Sequence, residues 1–335
     1  MVSFSQKRID EIFSKLRNKH IAVIGDLMID RYFMGTVARL SPEAPVPVVE
    51  VKEESNRLGG AANVANNIAS LGGIPIMIGV AGNDQGAVLL KKLVGERGFP
   101  STGIVLDPTR PTTIKIRVIA HNQHVVRIDQ EDKTEIDRAI QEKIVLFIQQ
   151  NIGAIDGIIL EDYNKGVLTR NLVHEIIDIA RKNKKVITVD PKFNNFFDYT
   201  DVTVFKPNRK ESEEALGRRL KSIEEAETAA REIQQRLHAE NVLMTMSELG
   251  MLLIEQSGES SRVATTARKV ADVSGAGDTV IATLTMALVS GTSVREAAAL
   301  ANLAGGIVCG EGGIVPIDPV LLQTSAWDIL NGEQR

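Results

Sequence analysis

Short, unbroken apolar runs separated by longer amphipathic stretches constrain this chain most. Residues 20–25, His-Ile-Ala-Val-Ile-Gly, are apolar almost throughout and lead into Asp26. Comparable runs recur at 74–80, 156–160, 186–189, 202–205 and 242–245. A strand that is apolar on both faces suits the interior of a parallel sheet, where helices cover both sides. Between the runs lie helical patterns at 86–97, 133–150, 169–183 and 222–238. This alternation predicts an α/β fold with a doubly wound, mostly parallel sheet flanked by helices. Ahead of it, Ile9, Ile12, Phe13 and Leu16 recur at helical spacing and predict a helix over 4–17 that packs on one face.

At 335 residues and 43% hydrophobic, the chain can bury a substantial core as one large domain or two ordinary ones. A net charge of −4 argues against a general nucleic-acid binder. The single cysteine, Cys309, excludes an internal disulfide and a cysteine metal cluster. No apolar run reaches the roughly 18 residues of a membrane span, and the first residues form an amphipathic pattern rather than a signal region. We therefore expect a soluble, cytoplasmic protein with no membrane or nucleic-acid partner.

The most chemically suggestive stretch is Asp272-Val-Ser274-Gly275-Ala276-Gly277-Asp278-Thr279, followed by an apolar run at 280–289. It reads as a tight loop feeding the N-terminus of a buried helix. Gly275 and Gly277 can take backbone angles other residues resist, so successive N–H groups can converge on one anion where a helix adds positive charge. Asp278 would repel that anion. An acid so placed makes sense as a base for a hydroxyl attacking a phosphate; the plainer alternative is a helix capped by Asp after a Gly-rich turn. Asp26 and Asp30 follow the first apolar run, where ligands of parallel sheets gather. They are either hydroxyl acceptors or turn formers. Gly59 and Gly60 precede an Ala- and Asn-rich helix with Asn63 in its first turns, and Asp84 reads as an N-cap.

Three prolines within 36–51 exclude a central strand there and predict an edge strand or flap. Residues 112–119 and 124–129 alternate about His121-Asn122-Gln123, a hairpin signal. With 44–51 they would form a small separate sheet. A turn centred on Asn122 sets Arg117 opposite Arg127, with Lys115 on the same face, and three such cations call for an anion. Asn208 and Glu211 follow the strand at 202–205. Three residues apart, they could address a hydrated magnesium ion or simply begin a helix.

GDLMIDR, GGAANVA, GNDQG, DPK, NRKE and DVSGAGDT occur in this order across residues 20–320. In that order they resemble the signatures of the PfkB, ribokinase-like family of carbohydrate kinases. The resemblance implies a single ribokinase-like domain over 1–335, with a β-sheet lid from segments near 34–51 and 111–130 that covers the sugar and joins a homodimer. It implies that Asp278 is the catalytic base, with the 275–277 backbone holding the transferred phosphoryl group. It places the sugar phosphate at Asp26, Asp30, Gly59, Gly60, Asn63, Lys115, Arg117, Arg127, Asp162 and Lys192. It places ATP at Asn208, Arg209, Lys210, Glu211, Thr245, Ser247, Gly250, Ser274, Gly275, Gly277 and Asn302, with Mg2+ at Asn208 and Glu211 mostly through water. Small residues Gly305 and Gly306 beside Asn302 would open a slot for adenine. Met246-Ser247 departs from the pairs common in the family, and Asp272 matches a position near the potassium (K+) site of some relatives.

Two longer strings, GDLMIDRYFMGTVARLSPEAPVPVVEV and IKIRVIAHNQHVVRID, are similar to the heptose-phosphate kinases. These phosphorylate the C1 hydroxyl of D-glycero-D-manno-heptose 7-phosphate for lipopolysaccharide heptose. No H-x-G-H motif follows, so the expectation is a stand-alone kinase. Two rivals stay open: a kinase of another sugar, such as ribose or a fructose phosphate, and a non-catalytic sugar sensor. A dinucleotide oxidoreductase is disfavoured because no G-x-G-x-x-G follows the first strand.

Overall fold

The structure is a computed structural model and describes residues 4–121, 123–265, 273–311 and 313–330. In chain order it runs α1 (Gln6–Leu16), β1 (His20–Gly25), β2 (Leu27–Leu40), β3 (Pro47–Gly60), α2 (Ala61–Ser70), β4 (Ile74–Gly82) and α3 (Gln85–Glu96). Next come β5 (Ile104–Asp107), β6 (Thr113–Ala120), β7 (Gln123–Gln130), α4 (Arg138–Asn151), β8 (Gly157–Glu161), α5 (Arg170–Lys182) and β9 (Val186–Asp190). The chain continues through β10 (Val204–Phe205), α6 (Arg209–Leu216), α7 (Ile223–Leu237), β11 (Asn241–Thr245), β12 (Met251–Ile254), β13 (Ser260–Val263), α8 (Ala276–Val289), α9 (Val294–Cys309) and α10 (Pro319–Leu330).

The main sheet has the order β13-β12-β11-β10-β9-β8-β1-β4-β5. It is parallel from β11 to β5, and β12 runs against its two neighbours, β11 and β13. Residues of β1 alternate between two cores. Ile21 and Val23 face one with α2, α8 and α9, while Ala22 and Ile24 face the other with α4, α5 and α7. Each fully buried side chain of this kind contributes about 1.5–3 kcal/mol, which explains why β1 is apolar on both faces. From β1 the chain builds outward to β4 and β5 on one side and to β8 through β11 on the other. The switch point therefore lies between β1 and β8, where open α/β sheets bind ligands beyond the strand ends.

The helices start where the sequence supplies caps. Ser5, Asp84, Asp137, Thr169, Ser222 and Ser293 each accept a backbone N–H of the following turn, a contribution of about 1 kcal/mol apiece. Asp84 is the cap it was read as, and it also accepts from Thr112. The pattern at 133–150 begins as helix only at Arg138, because Asp137 caps it there.

A second sheet has the order β3-β2-β6-β7. Pro47 opens the edge strand β3, as the prolines require. The sequence reading missed β2. This 14-residue strand is buried from Leu27 to Asp30 and becomes exposed toward Leu40, so it carries the chain out of the main body. Arg117 does stand opposite Arg127, although the register shifts between Val118 and Ile119 so that Ile119 faces His124. Asn122, the expected centre of the turn, lies outside the described residues.

Candidate active site

Gly275 caps α8 with φ 79°, a left-handed angle that favours glycine. Gly277 was expected to share that property and does not: it lies within the first turn of α8 and is helical. A Cβ there would meet Asp190 Oδ2 at 3.5 Å and Lys206 Nζ at 3.8 Å, ordinary contact distances, so no clash demands a glycine at this position. Asp278 is in the same turn and is buried. Asn63 Nδ2 donates to its Oδ2 at 2.7 Å and the Tyr163 hydroxyl to its Oδ1 at 2.7 Å. Burial pushes the Asp278 carboxyl up to about 6; the bonds from Asn63 and Tyr163 work against that rise, and Asp190 adds to it. An acid that ionises near pH 6 is suited to accept a proton at neutral pH.

Behind this acid, the ends of β8, β9 and β10 bring charged groups together. Lys206 and Asp190 form a buried pair at 2.8 Å. Both oxygens of Glu161 are buried without a hydrogen-bond partner. Burial, then Asp190 and Asp278, hold its carboxyl well above the usual range. Lys192 pairs with Glu211. Burial opposes the Lys192 charge, but Asp190 and Glu211 outweigh it and raise its pKa. Glu211 closes a capping box with Asn208: each side chain accepts the other's backbone N–H at 2.8 Å. Since both Glu211 oxygens have protein partners, the pair fits an ion that keeps its own water shell. Among the described residues, no group of three or more His, Cys, Asp or Glu could hold a bare metal ion.

A cavity of about 360 Å³ leads from Ala276 and Gly277 between α8 and α9 to the β11–β12 turn. Thr245, Ser247, Gly250, Asn302, Gly305 and Gly306 line it. Gly250 has φ 83°, and a Cβ there would strike the Val263 carbonyl. Met246, the unusual residue of this turn, is buried in the core. Thr245 and Ser247 also border a wider, basic cavity of about 670 Å³ beside Asn208, Arg209 and Lys210. Ser274 immediately precedes Gly275, and Asp272 lies outside the described residues.

Across the second sheet, Arg57, Asp30, Lys115 and Asp129 stand side by side on β3, β2, β6 and β7, a row of alternating charge. The next row on the same face holds Tyr32, Arg117 and Arg127. The expectation of uncompensated cations is corrected here. Arg117 is ion-paired with buried Asp30, and Arg127 with Asp129 at 3.0 Å. These two rows carry four cations against two carboxylates. Gly59 has no room for a side chain because a Cβ would collide with the Asp30 carboxylate. Gly60, with φ 55°, turns the chain into α2.

Two further expectations are corrected. Asp26 accepts the backbone N–H groups of Tyr163, Lys165 and Val167, and Asp162 accepts from Asn164 and from the Tyr199 hydroxyl. Both are buried anchors of the loop after β8 rather than free acceptors for a ligand. Asp30, read as lying just past a strand, is within β2. The sequence reading missed Tyr163, Glu161, Asp190 and Lys206. Glu161, Asp190 and Lys206 carried a signal, since each is a charged residue abruptly ending an apolar run; Tyr163 carried none.

Among the described residues no helix is long and apolar enough to cross a membrane. Residues 18–319 match the pfkB family of carbohydrate kinases. The bifunctional protein HldE of Helicobacter pylori strain J99 is 44% identical over 295 residues, covering 88% of this chain and 64% of that protein. The bifunctional protein HldE of Pelobacter propionicus is 41% identical over 314 residues, covering 94% and 64%. The chain thus spans under two thirds of the length of these relatives. Phosphofructokinase-2 from Escherichia coli in complex with potassium superposes with a TM-score of 0.75 at 18% identity, covering 94% of this chain and 99% of that one. Arabidopsis thaliana ribokinase complexed with ribose and ATP gives 0.71 at 17%, covering 92% and 99%. These two show the ribokinase-like fold alone, whereas the match over 18–319 goes further: the chain belongs to the pfkB family of carbohydrate kinases, which are ATP-dependent kinases.

Proposed function

We propose that the protein transfers the γ-phosphoryl group of ATP to the C1 hydroxyl of D-glycero-D-manno-heptose 7-phosphate. The product would be the 1,7-bisphosphate, a precursor of ADP-heptose for the lipopolysaccharide core. The observation that carries the kinase reading is Asp278, a buried carboxylate ionising near pH 6 at the start of α8, next to the 275–277 amides and the mouth of the base-sized cavity. The similarity of two long strings to heptose-phosphate kinases, together with relatives at 41–44% identity, supports the choice of sugar.

In this reading the sugar's C1 hydroxyl lies against Asp278. Asn63 Oδ1, buried without a partner, accepts a neighbouring hydroxyl, and Asp30 accepts another. Asp278 takes the C1 proton as the new O–P bond forms and the bond to the ADP oxygen breaks. The 275–277 amides stabilise charge on the transferred oxygens. Adenine enters the cavity lined by Gly305 and Gly306, and the phosphates pass Ser274 toward Arg209 and Lys210. Asn208 and Glu211 would hold magnesium through water, where it would supply charge neutralisation at the phosphates. The positive excess on the lid face suits the sugar's distal phosphate, with Arg127 and Lys115 as its partners. A second copy covering Val126 and Ile128, half-exposed on the opposite face of β7, would make the homodimer; light scattering checks it. A K+ requirement is tested by potassium titration in sodium-free buffer.

An ADP-coupled assay over a sugar panel decides the substrate. Heptose 7-phosphate should exceed ribose and fructose 6-phosphate in kcat/KM. A preference for either of the latter selects the other-sugar kinase, and absence of turnover on every sugar selects the sensor.

A further inference from the structure

Tyr163 lies outside every motif that pointed to the site, yet it joins its parts. Its backbone N–H donates to Asp26 Oδ2 and its hydroxyl to Asp278 Oδ1, both at 2.7 Å. The ammonium groups of Lys115, from the lid, and Lys192, from the main body, lie 5.0 and 5.5 Å from the centre of its ring. We propose that Tyr163 is the positioning residue of Asp278, fixing the orientation of its carboxylate and keeping it ionised. The proposal rests on the kinase reading above.

The geometry supports it in three ways. A carboxylate turns easily about its last bond, because that torsion is broad. Asn63 on one oxygen and Tyr163 on the other hold it at two points, leaving a lone pair of each oxygen for a hydroxyl. Tyr163 is itself fixed by its loop: Asp26 gathers the N–H groups of Tyr163, Lys165 and Val167. This gives the buried Asp26 a purpose, since clamping the loop sets the phenol. Finally, a donor to the ionised form favours that form. Positive charge over the ring face is attracted by its π electrons and makes the hydroxyl a better donor. Burial and the neighbouring carboxylates keep the phenol protonated far above neutral pH, so it remains a donor.

Other groups bear on Asp278 from the surrounding elements. Asp190 at the end of β9 and Glu161 at the end of β8 oppose its charge, and Lys206 after β10 favours it. None of these is hydrogen-bonded to the Asp278 carboxylate among the described residues, so Tyr163 and Asn63 are the contacts that orient it.

Two measurements test the proposal. In the pH profile of kcat/KM for the sugar, Tyr163→Phe should move the acid limb upward by about one pH unit, the magnitude of a lost hydrogen bond to a charged group. The same variant should lower kcat by about tenfold or more with KM for ATP unchanged. Asp26→Asn, which leaves the phenol in place but loosens its loop, should shift the limb in the same direction by less. Infrared titration of the carboxyl band that disappears in Asp278→Asn reads the same ionisation without turnover, and its midpoint should rise in Tyr163→Phe. An unchanged midpoint and acid limb in a folded Tyr163→Phe protein would overturn the proposal. Absence of sugar turnover in the wild-type protein would defeat the kinase reading instead, and the infrared midpoint would still decide whether Tyr163 governs Asp278.

Discussion

In the second sheet β7 is exposed along its whole length, whereas β11 and β12, which wall the cavity between α8 and α9, are buried at all positions but one. The cavity is shaped by helices packed in the main core, and its outline follows from glycines that let α8 and α9 approach. The lid face is organised instead by alternating charge, Arg57-Asp30-Lys115-Asp129. The sheet's inner end is anchored in the main core by Leu27, Ile29, Leu58 and Ile114, but its charged face meets the rest of the site through few contacts, Arg57 with the Ile314 carbonyl at 2.8 Å and Lys115 over Tyr163. A region tied by few contacts opens at lower free-energy cost than a core region. The sugar side should therefore respond to single substitutions without disturbing the nucleotide side.

The largest effect should come where the two regions meet. Asp278→Asn keeps the fold and ATP binding but removes the base, and kcat should fall at least about 10²-fold; stopped-flow or steady-state kinetics check it, and a variant keeping a third of wild-type kcat would refute the assignment. The acid limb of the wild-type profile belongs to the same group. Because the folded carboxyl is raised to about 6, the basic form is lost as pH falls through that value, and kcat/KM should drop tenfold per unit below it.

Lid variants come next. Arg117→Ala leaves buried Asp30 without its cation, so KM should rise about tenfold for phosphorylated and unphosphorylated heptose alike. Arg127→Ala, at an exposed position, should raise KM several-fold for the phosphorylated sugar only. Neither should move KM for ATP; a parallel rise in KM for ATP would mean that the two regions are not separable. The smallest effect is expected from Glu211→Gln. The magnesium concentration for half-maximal rate at saturating ATP should rise about two- to fivefold, the range of a screened charge interaction acting through water. An unchanged titration leaves Glu211 as a capping residue alone.

Much of the frame was legible because local chemistry specified it. The apolar runs became β1, β4, β8, β9, β10 and β11, and Ser5, Asp84, Thr169 and Ser222 began helices where their side chains could cap them. The hairpin register at Arg117 and Arg127 followed from turn length and alternation. The glycine-rich start of α8 and the acid within it were readable from spacing, since a close backbone approach has few sequence solutions. What the side chains do to one another was not readable in this way. Asp26 and Asp30 are four residues apart and look alike in sequence, yet one is consumed by three backbone N–H groups of a loop some 137 residues later and the other pairs through one oxygen with an arginine of the second sheet. Tyr163 gained its place against Asp278, and Lys206 its place against Asp190, only when separate strand ends met at the switch point of the sheet. Local spacing decides secondary structure because backbone periodicity is local; pairing and the ionisation of buried acids depend on distance and desolvation, which only the tertiary structure decides.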